Sequence, residues 1–483
     1  MEALLDLDRS RPGLGDQLTS ALRAAIADGR LAPGTRLPSS RQLATDLRVS
    51  RGVVVGAYEQ LVAEGRLLSQ RGAGTSVAPT PAFPPNTPSF PCSAPVYAAT
   101  KRSVAAYTGA EQSLQNSAHT GAFGGNLPAD LRPGQPDLTA FPRAAWRRAY
   151  EQVLAAATPK DLGYSDATGA PRLRQTLADY LGRVRAARLT ADDVVVTTGA
   201  AQAFSLIAHH LRSTGADRIG IEEPGSPGIR VHLEAQGLRL VPIPVDDDGL
   251  DVKTLQESDV PAVLVTPAHQ YPTGVVLAPQ RRAALIAWAR ATGKLIIEDD
   301  YDAEFRYDRE PVGCLQGLAP DVVAHLGSAS KALAPALRLG WLCPPKDRAA
   351  SVRAAKAAAD YGGPTLEQLA FAQLLASGGY DRHLRQARRA HRLRRDALVA
   401  ALATNLPGCR VHGVAAGLHL VVELPPGTDD AAVAAKAYTK GLGPVPLSAT
   451  RLTPGGPPGL VIGYAGQTPD RIAASIRRLS ELI

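Results

Sequence analysis

A chain of 483 residues is too long for one hydrophobic core, since compact domains hold about 100–200 residues, so two or three domains are expected. Apolar residues make up 45% and charged residues 20% of it, a globular composition that excludes a disordered, collagen-like or disulfide-stapled chain. The net charge of +8, from 53 basic against 45 acidic residues, is compatible with a nucleic-acid partner but does not require one.

The N-terminus MEALLDLDRSRPG carries acids where an export signal would place a basic stretch and then an apolar one, and no run of about 18 apolar residues follows anywhere. Cys92, Cys314, Cys343 and Cys409 are scattered without a CxxC pair. Together these features predict reduced thiols, a cytoplasmic location, no membrane span and no metal site.

Residues 15–78 read as three helices and a β-ribbon. Leu18, Leu22, Ala25 and Ile26 recur at helical spacing in a first helix ended by Gly29. Ser39 or Ser40 caps a short second helix in LPSSRQLATDL, and Ser50 and Gly65 bound a third in VSRGVVVGAYEQLVAEG. GRLLSQRGAGTSVA has the apolar ends and glycine-rich tip of a hairpin. Two short helices, a tight turn and a wing, carried by PGTRLPSSRQLA, VSR, YEQLVAEG and RGAGT, resemble the winged helix-turn-helix of the GntR class of bacterial regulators. The resemblance implies that the start of the third helix enters the major groove of double-stranded operator DNA and that the wing lies along a minor groove.

Residues 30–77 hold seven arginines against three acids, and Arg36, Arg41 and Arg51 stand at the turn and helix starts, where guanidinium groups reach phosphates or a guanine edge. Ser50 joins them at the helix start, and Arg71 with Gly72 suits a wing tip that approaches DNA closely. Gly52 and Val53 stand where the GntR class often has polar residues, so base readout from those two positions is weak.

Seven prolines between Pro79 and Pro95 favour extended chain over helix or sheet, and residues 79–125 read as a linker between a head (residues 1–78) and an effector domain (residues 126–483). After it, DDVVVTTGA, AFSLIAHHLRS, RIGIEEPGSPG, HLEAQG, PAVLVTPAHQ, RRAALIAWARATG and KLIIEDDYD alternate strand-like with helix-like text. That alternation predicts an α/β domain with a mostly parallel sheet covered by helices on both faces. From about residue 346 a long basic helix and the strands LHLVVELP and LVIGYAG suggest a smaller α+β subdomain.

The chemistry concentrates in GSASKALAPALRLGW. A lysine forms a Schiff base with an aldehyde cofactor when its neighbours hold that cofactor's phosphate, and Lys331 has Ser328, Ser330 and Arg338 around it. In KLIIEDDYDAEFRY, Asp299 at a strand end is the candidate partner of a pyridinium nitrogen, and Tyr301 of a ring phenolic oxygen. TTGAAQAFSLI places the amides of Ala200 and Ala201 and the side chain of Gln202 at a helix N-terminus suited to phosphate. His269, Gln270 and Tyr271 follow another strand on a loop from which one of the three reaches the ring oxygen, with the amide of Gln270 a cofactor-binding candidate.

These segments in this order resemble the fold-type I pyridoxal-phosphate aminotransferases, and joined to a GntR-like head they resemble the MocR/GabR family of regulators. The resemblance implies pyridoxal 5'-phosphate on Lys331, paired with Asp299 and Tyr301 and with Arg338 on its phosphate, in a head-to-tail homodimer. The family usually has a ring-stacking tyrosine where Ser226 stands, and its amino-acid-binding members carry an arginine near Val461. Losing a carboxylate clamp costs several kcal/mol unless another group replaces it, and Arg230 is the candidate replacement, with Arg451 the other. The missing ring at Ser226 should weaken cofactor binding, whereas the missing arginine at Val461 favours a regulator that senses pyridoxal phosphate itself, as the family's regulators of vitamin B6 synthesis do, over one that senses a small amine or amino acid. The other reading is a working aminotransferase with a vestigial DNA-binding head. The seven arginines of residues 381–396 read as a solvated or dimer-facing helix, with auxiliary phosphate contact as the other use.

Overall fold

The computed structural model describes residue 7 and residues 13–70, 74–78, 130–307, 313–413 and 416–483. The expected linker, Arg71 and Gly72 lie outside the described residues. By its internal contacts the chain divides into two units, residues 1–116 and 117–483.

The first unit has helices α1 (Leu14–Ala27), α2 (Ser40–Asp46) and α3 (Arg51–Ala63), then an antiparallel ribbon of β1 (Leu67–Gln70) and β2 (Gly74–Val77). Leu18, Leu22 and Ala25 share one face of α1 and are buried against Leu43, Val54 and Leu61 of the other two helices. Gly29 and Gly65 end α1 and α3 in the left-handed conformation, at φ +74° and +73°. Ser39, not Ser40, caps α2, its Oγ accepting from the Gln42 amide at 3.2 Å. Ser50 occupies the cap position of α3, but its side chain makes no cap hydrogen bond, which corrects the expected role and leaves its hydroxyl exposed. Glu64, buried just past the end of α3, accepts two hydrogen bonds from Arg23 of α1 at 2.6 and 3.1 Å, a bidentate ion pair that fixes the angle between these helices.

The second unit is built on an eight-stranded sheet. In chain order its elements include β3 (Val195–Thr197), α4 (Ala200–Ser213), β4 (Arg218–Glu223), α5 (Pro227–Ala235), β5 (Arg239–Asp246), β6 (Gly249–Leu250), β7 (Ala262–Val265), β8 (Leu295–Asp300), β9 (Val323–Ser328) and β10 (Gly340–Cys343). Their order across the sheet is β3-β10-β9-β8-β7-β4-β5-β6. Strands β9, β8, β7, β4 and β5 run parallel, while β10 is antiparallel to both its neighbours and β6 to β5.

The apolar runs of β7 and β8 are continuous because both faces are covered. Ala262, Leu264, Leu295 and Ile297 enter one core with α4, whereas Val263, Val265 and Ile296 enter the opposite core with the helix Pro279–Thr292. The helix Lys346–Asp360 belongs to the first of these cores through Val352. After it come the long helix α6 (Gly379–Asn405) and an antiparallel sheet of β11 (Arg410–His412), β12 (His419–Glu423), β13 (Val445–Pro446) and β14 (Gly459–Gly463), ordered β11-β12-β14-β13. No helix among the described residues is long and apolar enough to cross a membrane.

Candidate functional site

Strand register gathers the candidate residues of the second unit at one edge of the large sheet. Gly340 of β10 lies opposite both Thr197 of β3 and Ser328 of β9, and Gly327 lies opposite Asp300 of β8, so the carboxyl ends of β3, β9 and β8 converge. Open α/β sheets bind their ligands at such an edge. Lys331 follows β9 by three residues, Asp299 is the penultimate residue of β8, and Ala200 opens α4 just past β3.

Lys331 donates from Nζ to the Gly134 carbonyl at 2.6 Å, a partner almost 200 residues away in RPGQPD that sequence spacing had no means of revealing. Burial pulls the lysine amine below its usual value, opposed by the nearby Asp302 and Asp299 carboxylates. Asp299 is buried, its Oδ1 has no hydrogen-bond partner among the described residues, and burial together with Asp300 and Asp302 pushes its carboxyl up to about 8. A buried acceptor left without a donor costs free energy that a ligand N–H would recover. The adjacent Asp300 is spent on structure, since Arg185 grips both of its oxygens at 2.7 and 2.8 Å in a buried bidentate pair.

The Tyr301 hydroxyl lies 3.1 Å from His269 Nδ1, which also sits 2.9 Å from Asp302 Oδ2, and burial holds the Tyr301 phenol well above its ordinary value. His419 of β12 completes this group, its ring centroid 5.2 Å from that of His269. Burial pushes His419 down to about 3, so it is neutral. Asp302 and His419 carried no signal in the sequence because the first looked like one more acid after a strand and the second stands over 100 residues downstream.

On the phosphate side, Arg338 donates to the Thr198 carbonyl at 2.5 Å and lies against Gly199, where a Cβ would stand 3.0 Å from its Nη2. Gly199 also has φ +88°, so both the close approach and the backbone require glycine there. The first amides of α4, those of Ala200 and Ala201, have no intrahelical acceptors and open beside this guanidinium. Ser328 Oγ donates to Ser330 Oγ at 2.8 Å, which sets the two hydroxyls together before Lys331.

Two expected side chains are committed elsewhere. The Gln202 amide accepts from the Thr198 N–H at 2.9 Å and donates to Asp360 at 2.7 Å, so only its backbone remains for a phosphate. The Gln270 amide donates to the Pro224 and Tyr271 carbonyls at 2.8 and 2.6 Å and accepts from Thr273, which ties it into its own loop, and His269 stands beside Tyr301 instead. Arg230 reaches the Ala449 carbonyl, and its Nη1 is buried without a partner among the described residues. Ser226 caps α5 through the Ile229 amide at 3.4 Å and offers no ring, and Val461 is buried among Val421, Val445 and Leu447.

In the first unit, Arg36, Arg41, Ser50 and Arg51 are all exposed, and Arg36 bridges to Ser76 at the base of the wing. Gly52 is exposed and Val53 half-buried, so Arg51 is the charged side chain of the first turn of α3. The basic helix α6 divides its arginines among three settings. Arg382, Arg385, Arg389 and Arg392 form one exposed stripe, Arg388 and Arg394 turn inward to the Glu304 carbonyl and the Asp137 carboxylate, and the half-buried Arg395 lies 3.8 Å from the Asp396 carboxylate.

Two family models match the chain. "Bacterial regulatory proteins, gntR family" covers residues 14–77, and "Aminotransferase class I and II" covers residues 130–479. The pyridoxine biosynthesis transcriptional regulator PdxR of Corynebacterium glutamicum is 34% identical over 97% of this chain and 95% of its own length. The chain belongs to the MocR family of GntR-type transcriptional regulators. The probable rhizopine catabolism regulatory protein MocR of Rhizobium meliloti, 31% identical over 99% of this chain and 94% of its own, falls in the same group. The aminotransferase part of this MocR-family chain has the fold of working enzymes. An archaeal alanine:glyoxylate aminotransferase matches with a TM-score of 0.69 at 25% identity over 77% of this chain and 94% of its own. The kynurenine aminotransferase of Pyrococcus horikoshii, solved with PMP, matches equally well over 76% and 93%. The protein is therefore a DNA-binding regulator with an aminotransferase-like domain.

Proposed function

We propose that this MocR-family regulator binds pyridoxal 5'-phosphate at the sheet edge around Lys331 and changes its affinity for operator DNA when it does so, in the control of vitamin B6 supply. The buried, unpartnered Asp299 carboxylate beside the Lys331 amine carries the reading, because it fits a pyridinium N–H and little else. Pyridoxal phosphate supplies an aldehyde for the lysine and an electron-withdrawing ring. The chain's own residues do the rest: Asp299 holds a proton on the ring nitrogen, Tyr301 donates toward the ring oxygen, and Arg338, Ser328, Ser330 and the α4 amides take the phosphate. Two such chains form the regulating homodimer in this reading. The C. glutamicum relative, named for pyridoxine biosynthesis, supports the vitamin B6 assignment.

The apolar setting of Val461, where amino-acid-binding members of the family carry an arginine, supports cofactor sensing over transamination. The reading is tested by titrating the DNA upstream of the protein's own gene with and without the cofactor.

Asp299→Asn tests the site separately. An aspartate whose pKa rises from 3.8 to about 8 on folding binds more protons folded than unfolded between those values, so its contribution to stability falls as pH rises through that window. Asparagine removes this penalty. Cofactor-free Asp299→Asn is expected to melt at a higher temperature than the parent at pH 8 and to bind pyridoxal phosphate at least about tenfold more weakly, a loss of about 1.4 kcal/mol. Unchanged cofactor affinity would contradict the assignment.

A further inference from the structure

The cofactor site makes no use of the outward face of α6. Arg382, Arg385, Arg389 and Arg392 are exposed there, at positions i, i+3, i+7 and i+10 of one helix. At 3.6 residues per turn and 1.5 Å per residue, that spacing keeps all four within about 80° of one another around the axis and spreads them over about 15 Å along it. The opposite face anchors the row, because Tyr380, His383, Leu384, Ala387, His391 and Leu398 are buried beneath it. The side chains of Arg385, Arg389 and Arg392 make no hydrogen bond or ion pair among the described residues, and Arg382 donates to the Ser377 carbonyl at 3.2 Å. Neither acid of α6 serves the row: Asp381 accepts from Arg183 at 2.9 Å, and Asp396 lies beside Arg395.

Like charges three and four residues apart repel on a helix, so the row is unfavourable in the protein alone and favourable against an opposite charge. Double-stranded DNA matches it. Each strand carries one phosphate per 3.4 Å of axis, so about four phosphates fall within the 15 Å that the row spans. The guanidinium fork suits phosphate oxygens, which it can take two at a time. A protein partner fits less well, since the centre of a protein interface is poor in charge and Leu393 is the single large apolar side chain exposed between residues 381 and 396. With the head on its operator, the second unit is tethered to the same duplex, which raises the local concentration of phosphate around it.

We propose that this face of α6 is a second DNA contact, in which the aminotransferase-like unit grips the phosphate backbone of duplex outside the bases that the head reads. Such a contact carries no sequence information. It adds affinity that is the same for every sequence and falls steeply with salt. It needs neither the cofactor nor the base contacts of the head, so it stands apart from the cofactor reading above.

Anisotropy titrations of the full-length, cofactor-free protein over a series of salt concentrations test it, with a long random-sequence duplex and the DNA upstream of the protein's own gene as the two probes. Combining Arg385→Ala, Arg389→Ala and Arg392→Ala is expected to weaken binding to both duplexes at least about tenfold at about 0.1 M salt and to lower the slope of log affinity against log salt by about two to three. The corresponding triple lysine variant keeps the charge and should keep the slope of the parent. Both variants should sediment as the parent does and take up pyridoxal phosphate as it does, since none of the three arginines belongs to the Lys331 site. A slope unchanged by the alanine substitutions on both duplexes would overturn the proposal. So would a slope lost equally in the lysine variant, which would give the guanidiniums a structural role, or a fall in sedimentation coefficient in the alanine variant, which would make the face a contact between copies of the chain.

Discussion

Replacing Lys331 with alanine is expected to abolish the visible absorption that pyridoxal phosphate acquires on the protein. The lysine amine is the nucleophile of the site, and burial lowers its pKa, which increases the uncharged fraction able to attack an aldehyde. Its amine donates to the Gly134 carbonyl at 2.6 Å, and the nearby Asp302 and Asp299 carboxyls oppose the effect of burial on it. Arginine at this position would keep the charge without the chemistry and should be equally colourless. The check is the spectrum of dialysed protein after incubation with the cofactor, and a visible band that survives in Lys331→Ala would place the attachment elsewhere. The variant should still bind operator DNA, but with an affinity that no longer responds to the cofactor.

Arg51→Ala is expected to weaken operator binding by about 1–3 kcal/mol, roughly 10- to 100-fold, the range for one good bidentate contact to a base edge. Arg51 begins α3, is exposed, and is followed by Gly52 and half-buried Val53, so its neighbours in the first turn offer no polar side chain to take over its contact. If it instead touches phosphate, the loss should be uniform across DNA sequences and the slope of log affinity against log salt should fall by about one. Anisotropy titrations at several salt concentrations separate the two cases. Unchanged affinity at every salt concentration would move the DNA contact away from the start of α3.

The head and the sheet were legible because their signals are local. Helical spacing of Leu18, Leu22 and Ala25, the stop glycines Gly29 and Gly65, and the continuous apolar runs of β7 and β8 each follow from a handful of adjacent residues. Lys331, Asp299, Tyr301 and Arg338 stand out as candidates for the same reason, since each lies beside its own strand end or turn. What escaped was pairing at a distance. Gly134 meets Lys331 and His419 meets His269 only once the fold is complete, and Asp300 looked equivalent to Asp299 until Arg185 took both of its oxygens. Gln202 and Gln270 stand beside the site in sequence, but each amide is committed to nearby backbone groups, the Thr198 N–H for one and the Pro224 carbonyl for the other. The Ser50 hydroxyl failed as a cap for a smaller reason: the residue holds the cap position without directing its side chain to the helix amides.

If occupancy of the Lys331 site sets the affinity for DNA, the cofactor must bind the DNA-competent and DNA-incompetent arrangements with different affinity. The direct measurement is a fluorescence-anisotropy titration of the full-length protein onto the DNA upstream of its own gene, at one fixed salt concentration, with the cofactor absent and then saturating. Specific binding is expected, with a dissociation constant that changes at least about fivefold between the two conditions, a coupling of about 1 kcal/mol. Tight, specific binding that ignores pyridoxal phosphate would contradict it, and so would the absence of specific binding in either form.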